Sequence, residues 1–139
     1  MNSEVPLVVV DASVVVKWFI AADETGVADA AALLADHAAD RIRLVAPALV
    51  AHELMGVLVR RLRAEVVAEA LEAFFDAGVQ LVPPDRELMD LATTLVRERR
   101  VSAFDAAYGA LAVSLGCALA TADRRLATAL DGSVNIRAV

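Results

Sequence analysis

The sequence is poor in cysteine, lysine and aromatic residues, and these shortages already narrow its class. Its only cysteine, Cys117, cannot form an internal disulfide, and it lies in an apolar run typical of a buried strand. Aromatic residues make up 4% of the chain and hydrophobic residues 59%, which predicts a core of valine, leucine, isoleucine and alanine. We therefore expect a single folded domain over residues 1–139, in the reducing cytoplasm.

The chain also lacks long apolar runs and an excess of positive charge. No apolar run approaches the roughly 20 residues that span a bilayer. Asp11 interrupts the first apolar run too early for a secretory signal, and no basic residue precedes it. The net charge of −6 argues against unassisted wrapping of nucleic acid. Arginines nevertheless cluster at 60–63, 97–100 and 124–125, which leaves open either a polyanionic substrate or charged helix ends.

Strand-like and helical patterns alternate along the chain. The uniformly apolar run from Leu7 to Val10 indicates a central parallel strand that is covered on both faces. Further strands are expected at 44–46, 79–82 and 117–121, with an edge strand at 134–136. Helices are expected at 23–37, from Pro47 in a first turn to about 63, and at 65–76, 85–100, 102–115 and 124–130. This order predicts an α/β fold with a central, mostly parallel sheet.

Four carboxylates end an apolar run or interrupt one: Asp11, Glu53, Asp105 and Asp123. Asp11 and Asp123 follow predicted strands, so we expect both at the carboxyl ends of a parallel sheet, where ligands bind in such folds. Glu53 interrupts an apolar helix and needs a partner there. If the four acids converge, their repulsion should raise the pKa of at least one, unless a cation lies among them.

Oxygen ligands of this kind suit Mg²⁺ or Mn²⁺ rather than zinc, and neither His37 nor His52 has a companion at zinc-site spacing.

Each acid also has a purely structural explanation. Asp11 and Asp123 could cap the helices that follow them. The segment from Ser102 to Asp105 fits a capping box, which would give Asp105 a structural role. Glu53 could lie on an exposed stripe of its helix. The sequence alone leaves these alternatives open.

Four segments carry the acids in order along nearly the whole chain: VVVDASVVVKWF (8–19), APALVAHELMGVL (46–58), VSAFDAAYGALA (101–112) and ALATADRRLA (118–127). Together they resemble the four acidic motifs of PIN-domain ribonucleases, particularly the VapC toxins of type II toxin–antitoxin systems. A single segment is a weak signal, whereas the ordered set at this chain length is a strong one.

The resemblance implies a PIN-like three-layer α/β/α sandwich and a magnesium-dependent endoribonuclease, the toxin of a VapBC-type pair. It implies that Mg²⁺ or Mn²⁺ is held by a catalytic quartet with two polar supports: Asp11, Glu53, Asp105 and Asp123, with Ser13 and Thr121. It further implies an RNA substrate, a cognate VapB-like antitoxin and a homodimer. Gly56 departs from the pattern, because many relatives carry asparagine there and could form one more hydrogen bond.

Other classes of protein also place acids at strand ends. A phosphoacceptor receiver domain needs an aspartate after its third strand and a late lysine, but Glu53 lies on a predicted helix and Lys17 comes early. A haloacid-dehalogenase-type phosphatase needs a second aspartate where Ser13 stands. Both are therefore disfavoured. A catalytically silent PIN-like module that binds RNA or protein stays open as an alternative.

Overall fold

The computed structural model describes residues 4–21 and 25–139, and its centre is a five-stranded parallel sheet. Its strands are β1 (Leu7–Val10), β2 (Arg43–Pro47), β3 (Gln80–Val82), β4 (Ala118–Thr121) and β5 (Ile136–Ala138). They lie in the order β3-β2-β1-β4-β5, and Val9 of β1 pairs with Val45 on one side and Leu119 on the other. A strand with neighbours on both sides and helices over both faces meets no water, which explains why β1 is apolar throughout.

Helices cover this sheet in the described part of the chain. They are α1 (Ala12–Val16), α2 (Val27–Ala38), α3 (Val50–Arg61), α4 (Ala64–Asp76), α5 (Arg86–Arg99), α6 (Ala103–Leu115) and α7 (Arg124–Leu130). Helix α6 packs on β1, β2 and β4 and against α5, whereas α1 packs against α3. The predicted α/β/α sandwich with a parallel sheet is thereby confirmed. None of the helices in the described ranges has the length and apolar character to cross a bilayer.

Most predicted boundaries agree with the structure to within two residues. The exceptions are the starts of α2 and α3: α2 begins only at Val27, after a turn at Thr25 and Gly26. Pro47 was placed in the first turn of a helix but is the last residue of β2, paired with Val82, and α3 begins only at Val50. At the end of a strand the missing proline N–H costs no ladder hydrogen bond, so either position suits this residue. The edge strand predicted at 134–136 lies at Ile136–Ala138, because pairing with β4 and not apolar character defines it. The predicted helix start at Asp23 lies outside the described residues.

The strand order places the candidate site. The chain runs from β1 to β2 and β3 on one side of the sheet, and then crosses to β4 and β5 on the other. The carboxyl ends of β1 and β4 therefore lie side by side at a switch point, where open α/β sheets form a crevice. The amide of Asp11 donates to the carbonyl of Ala120 at 3.3 Å, which joins the two strand ends.

Helix α6 comes unusually close to its neighbours at Gly109. A β-carbon at this position would lie 3.0 Å from Leu95 Cδ1 of α5 and 3.1 Å from Leu130 Cδ1 of α7. Both distances are shorter than ordinary van der Waals contact. A larger residue here would require both leucine side chains to shift by a few tenths of an ångström, so the close approach favours glycine.

His37 and Cys117 have structural roles. The two ring nitrogens of His37 join three elements: Nε2 bonds the carbonyl of Ala77 at 2.9 Å, and Nδ1 accepts the amide hydrogen of Leu44 at 3.1 Å. Both nitrogens are therefore used within the fold. Cys117 is half-buried just before β4, and burial raises the pKa of its thiol, which disfavours the reactive thiolate.

Candidate active site

Asp11 is the centre of a buried polar network at the switch point. Asp11 and Thr121 are only 4% and 2% exposed, and they are the buried polar side chains of the described chain. The hydroxyl of Ser13 donates to Asp11 Oδ1 at 2.6 Å, and that of Thr121 donates to Oδ2 at 2.6 Å. The amide of Val14 also donates to Oδ1, at 3.3 Å. The two predicted polar supports therefore hold the predicted acid directly.

The two hydroxyls are themselves fixed by the turn that follows β4. Ser13 Oγ accepts the amide hydrogen of Ala122 at 2.9 Å, and Thr121 Oγ1 accepts that of Asp123 at 3.0 Å. Each hydroxyl has a single hydrogen, and it points to Asp11. Of the four lone-pair sites of the Asp11 carboxylate, the three donors fill two on Oδ1 and one on Oδ2. One site on Oδ2 stays available for a cation.

Burial dominates the electrostatics of Asp11. Desolvation raises the pKa of Asp11 above its ordinary value of 3.8, and the carboxylate of Asp123 raises it further. The hydrogen bonds from Ser13, Thr121 and Val14 act in the opposite direction. The prediction of a raised pKa is confirmed for this acid, but the main cause is burial and repulsion is the smaller one. The influence of Asp123 also shows that these two acids face one region.

Glu53 meets the site through Tyr108, a residue that the sequence analysis missed. The hydroxyl of Tyr108 on α6 donates to Glu53 Oε1 on α3 in a short hydrogen bond. Tyr108 is 2% exposed. Burial, the bond to Glu53 and the charges of Glu53 and Asp11 all raise the pKa of Tyr108, so the phenol keeps its proton. A tyrosine in a mainly apolar helix needs a polar partner for its hydroxyl, and this pattern could have identified Tyr108 from the sequence.

Asp123 and Asp105 stand at helix starts, as the structural alternatives expected. Asp123 Oδ1 accepts the amides of Arg125 and Leu126 at the start of α7, at 3.0 and 3.2 Å. The amide of Asp105 donates to Ser102 Oγ at 3.0 Å, which is one half of a capping box. In the described chain no hydrogen bond returns from the Asp105 carboxylate to the Ser102 amide. Asp105 lies one turn before Tyr108 on α6.

The protein hydrogen bonds of these carboxylates leave some of their oxygen lone pairs unused. Asp123 caps α7 with Oδ1 alone, and Glu53 holds Tyr108 with Oε1 alone. Within residues 4–21 and 25–139, no protein donor contacts Asp123 Oδ2 or Glu53 Oε2. Asp11 likewise caps α1 while keeping one site open. A cap role for Asp11 and Asp123 is therefore compatible with a ligand role.

The described acids are not gathered as tightly as a preformed all-protein metal cage. The charge of Asp123 acts on Asp11, Glu53 bonds Tyr108, and among the described residues no hydrogen bond joins Asp105 to any of these acids. Among the residues that the structure describes, no three Asp, Glu, His or Cys side chains could together hold one ion. Mg²⁺ is commonly held by one or two carboxylates and completed by water. The oxygen-only donors with open lone pairs fit that kind of ion.

A groove of about 490 Å³ runs beside this network, between α1 and α3. It is lined by Ala12, Ser13, Val16, Lys17, Ile20, Val57 and Arg61. Its lining is mainly apolar and includes two basic residues, Lys17 and Arg61. Ser13 is shared between the groove and the Asp11 network, so whatever occupies the groove lies next to the acids.

The basic clusters also occupy helix ends. Arg60 and Arg61 lie in the last turn of α3, and Arg97 and Arg99 lie in the last turn of α5. Cations are stabilised at that end of a helix. Arg99 Nε in addition donates to Ser133 Oγ at 2.7 Å. The helix-end explanation therefore applies to both clusters, and only Arg61 among these residues lines the groove.

Comparison with known proteins gives one family and a consistent fold. The PIN-domain family model matches residues 8–130. The structure is similar to VapC20 of Mycobacterium tuberculosis, described as a sarcin–ricin loop cleaving toxin, with TM-score 0.71 and 23% identity over 94% of this chain and 98% of that one. It is also similar to VapBC2 of Rickettsia felis bound to a promoter DNA fragment, with TM-score 0.71 and 12% identity over 96% of this chain and 98% of that one. A third similar structure is VapBC-5 of M. tuberculosis, with TM-score 0.61 and 22% identity over 96% of this chain and 97% of that one. No curated protein matched significantly by sequence.

Proposed function

The chain belongs to the PIN-domain family, and from this membership we propose that it is a metal-dependent endoribonuclease, the toxin of a VapBC-type toxin–antitoxin pair. One observation carries the proposal: a buried carboxylate, Asp11, is held at the strand switch point by two hydroxyls and faces Asp123. Burying an acid beside a second acid is costly unless a cation compensates. The similarity to VapC20, a toxin described as cleaving the sarcin–ricin loop, supports the reaction class.

In this proposal the acids bind the ion, and two hydroxyls orient Asp11. No more than two acids of the quartet, Asp11 foremost, would hold Mg²⁺ or Mn²⁺ directly through their open oxygens, and the others would act through bound water. The quartet is Asp11, Glu53, Asp105 and Asp123. Such an ion, when bound, supplies Lewis-acid stabilisation for the charge that develops on a phosphodiester during hydrolysis. Ser13 and Thr121 keep the Asp11 carboxylate in one orientation.

Incubation of the purified protein with pooled RNA tests the proposed activity. We expect cleavage with Mg²⁺ or Mn²⁺ and none with a chelator in excess, because the carboxylates alone cannot stabilise negative charge on a phosphate. RNA that stays intact in the presence of either metal would contradict the proposal and favour the silent binding module.

The groove between α1 and α3 is the surface that we propose for the antitoxin. Its apolar walls suit the apolar face of a partner segment, and its position beside the acids allows the partner to present an arginine to them. Several similar structures are toxin–antitoxin assemblies, among them VapBC2 and VapBC-5. We propose that a VapB-like protein encoded beside this chain binds here and blocks the site.

Two valines on α3 provide a matched test of this groove. Val57 lines the groove, whereas Val59 points elsewhere on the same helix and is 59% exposed. Val57→Glu should weaken binding of the antitoxin at least about tenfold, because a charge would be buried against an apolar partner. Val59→Glu should leave the affinity within about twofold. Calorimetric titration of both proteins measures this, and equal affinities would exclude the groove.

An apolar face on α5 and α6 supports the proposed homodimer. Met89 is 56% exposed and Phe104 64% exposed, and both border an apolar cavity of about 270 Å³. Exposed apolar patches of this kind mark interaction surfaces, and a twofold axis would bury the same patch of both subunits. Light scattering should give twice the monomer mass for the wild type and a lower mass for Phe104→Glu. An unchanged dimer in that variant would place the interface elsewhere.

A further inference from the structure

Among the described residues, Tyr108 bonds an acid of the site with its side chain, although it belongs neither to the four acids nor to the two supporting hydroxyls. It is the only tyrosine of the chain. Its hydroxyl reaches from α6 to Glu53 on α3, and the backbone of Ala12, where α1 begins, is near enough to lower the pKa of the phenol. A single phenol thus connects the elements that carry Glu53, Asp105 and Asp11.

Burying the hydroxyl of Tyr108 costs free energy, and packing alone would not require a hydroxyl at this position. A phenylalanine would fill the same space with its ring, whereas a buried hydroxyl must be hydrogen-bonded to be tolerated. Here it bonds a carboxylate, and hydrogen bonds to charged groups are shorter and stronger than neutral ones. Glutamate has a long and flexible side chain, so an unheld Glu53 would populate several rotamers on its half-exposed helix face.

We propose that Tyr108 is a positioning residue for the cation: it holds Glu53 by Oε1 and leaves Oε2 available to the ion or to its bound water. The proposal rests on the proposed function and deepens it. Ligands of metal ions are commonly oriented by hydrogen bonds from a second layer of residues, and loss of such a bond lowers the affinity for the metal. Tyr108 itself stays outside the ligand set, because its phenol is used as a donor.

Binding of Mn²⁺ to purified proteins tests this without reference to catalysis. Free Mn²⁺ has an electron paramagnetic resonance signal that is lost on binding, so a titration gives the Kd directly. Tyr108→Phe keeps the ring and removes the hydroxyl, and we expect its Kd to rise about tenfold or more. Thr94→Val removes an exposed hydroxyl of α5 that bonds only the Asp90 carbonyl, and its Kd should stay that of the wild type.

The outcomes separate this inference from the function on which it rests. Wild-type affinity in Tyr108→Phe, with weakened binding in Asp11→Asn, would overturn the positioning role and leave the metal centre standing. No Mn²⁺ binding by the wild-type protein would overturn both.

A second measurement uses the unmodified chain and does not depend on the folding of a variant. Because Tyr108 is the only tyrosine, every tyrosine band in the ultraviolet resonance Raman spectrum reports its hydrogen bond. Mg²⁺ should shift these bands in the wild type and leave them unchanged in Asp11→Asn. A merely structural tyrosine would show no shift in either protein, and that result would contradict the proposal.

Discussion

Asp11→Asn is expected to slow RNA cleavage about a thousandfold, since loss of about 4 kcal/mol of transition-state stabilisation corresponds to that factor. Asparagine keeps the size of aspartate, but it removes the charge that a cation needs. It also places an NH₂ group opposite one of the hydroxyls of Ser13 and Thr121, both of which now donate to Asp11. Initial rates on pooled RNA at saturating Mg²⁺ measure the loss, and circular dichroism verifies that the fold is retained.

Other acid-to-amide variants serve as controls and extend this test. Asp90→Asn changes an exposed acid of α5 and should cleave like the wild type. Glu53→Gln and Asp105→Asn should also abolish cleavage, while Asp123→Asn should be milder, because a fourth acid can act through water. Full activity in a folded Asp105→Asn protein would remove Asp105 from the site and leave it the role of a helix-start residue.

Bound metal should stabilise the wild-type protein strongly. A ligand that binds only the native state at a hundredfold excess over its Kd adds about 2.7 kcal/mol to the free energy of unfolding, or about 10 °C in Tm for a chain of this size. The reason is that Mn²⁺ compensates the charge of the buried Asp11 carboxylate and of the half-buried Asp123 carboxylate near it. Asp11→Asn should gain far less. Thermal melts with and without Mn²⁺ measure the two shifts, and equal shifts would mean that Asp11 does not bind the ion.

The stability of the metal-free protein should depend on pH as expected for an acid whose pKa is raised by folding. Between pH 3.8 and its folded pKa, Asp11 binds its proton more tightly in the folded than in the unfolded state. The stability it contributes is thus fully present below about pH 3.8 and is lost as the pH rises through the folded pKa. The Tm of the wild type minus that of Asp11→Asn should therefore be lower at about pH 8 than at about pH 4 in a chelator. A difference that rises with pH would contradict the raised pKa.

The sequence was sufficient for the part of the site that lies at strand ends. A parallel sheet brings the residues after β1 and β4 to one edge, so Asp11 and Asp123 could be placed together from the apolar runs alone. The resemblance to PIN-domain ribonucleases added Ser13 and Thr121. Nothing in those runs shows how a hydroxyl is oriented. The direction of the hydrogen bonds from Ser13 and Thr121 depends on the amides of Ala122 and Asp123, which only three-dimensional structure reveals.

The sequence was insufficient where one residue type serves two purposes. Asp11 and Asp123 were open to a cap or a ligand interpretation, and the structure shows that each caps a helix and keeps an oxygen site without a protein donor. Pro47 suits either a helix start or a strand end, and pairing with β3 decided between them. Tyr108 was missed because its partner, Glu53, lies 55 positions away in the chain, a distance that local periodicity does not reach.

Because of the close packing at Gly109, we expect the rate of RNA cleavage to respond to small changes in the core. Gly109 follows Tyr108 directly, and Leu95 and Leu130 press against it from two helices. A methyl group there would displace these leucines by a few tenths of an ångström or else push α6 aside, and Tyr108 would then carry Glu53 with it. Substitutions in α5 or α7 that contact neither RNA nor metal would thus first shift the positions of the acids, before any loss of secondary structure.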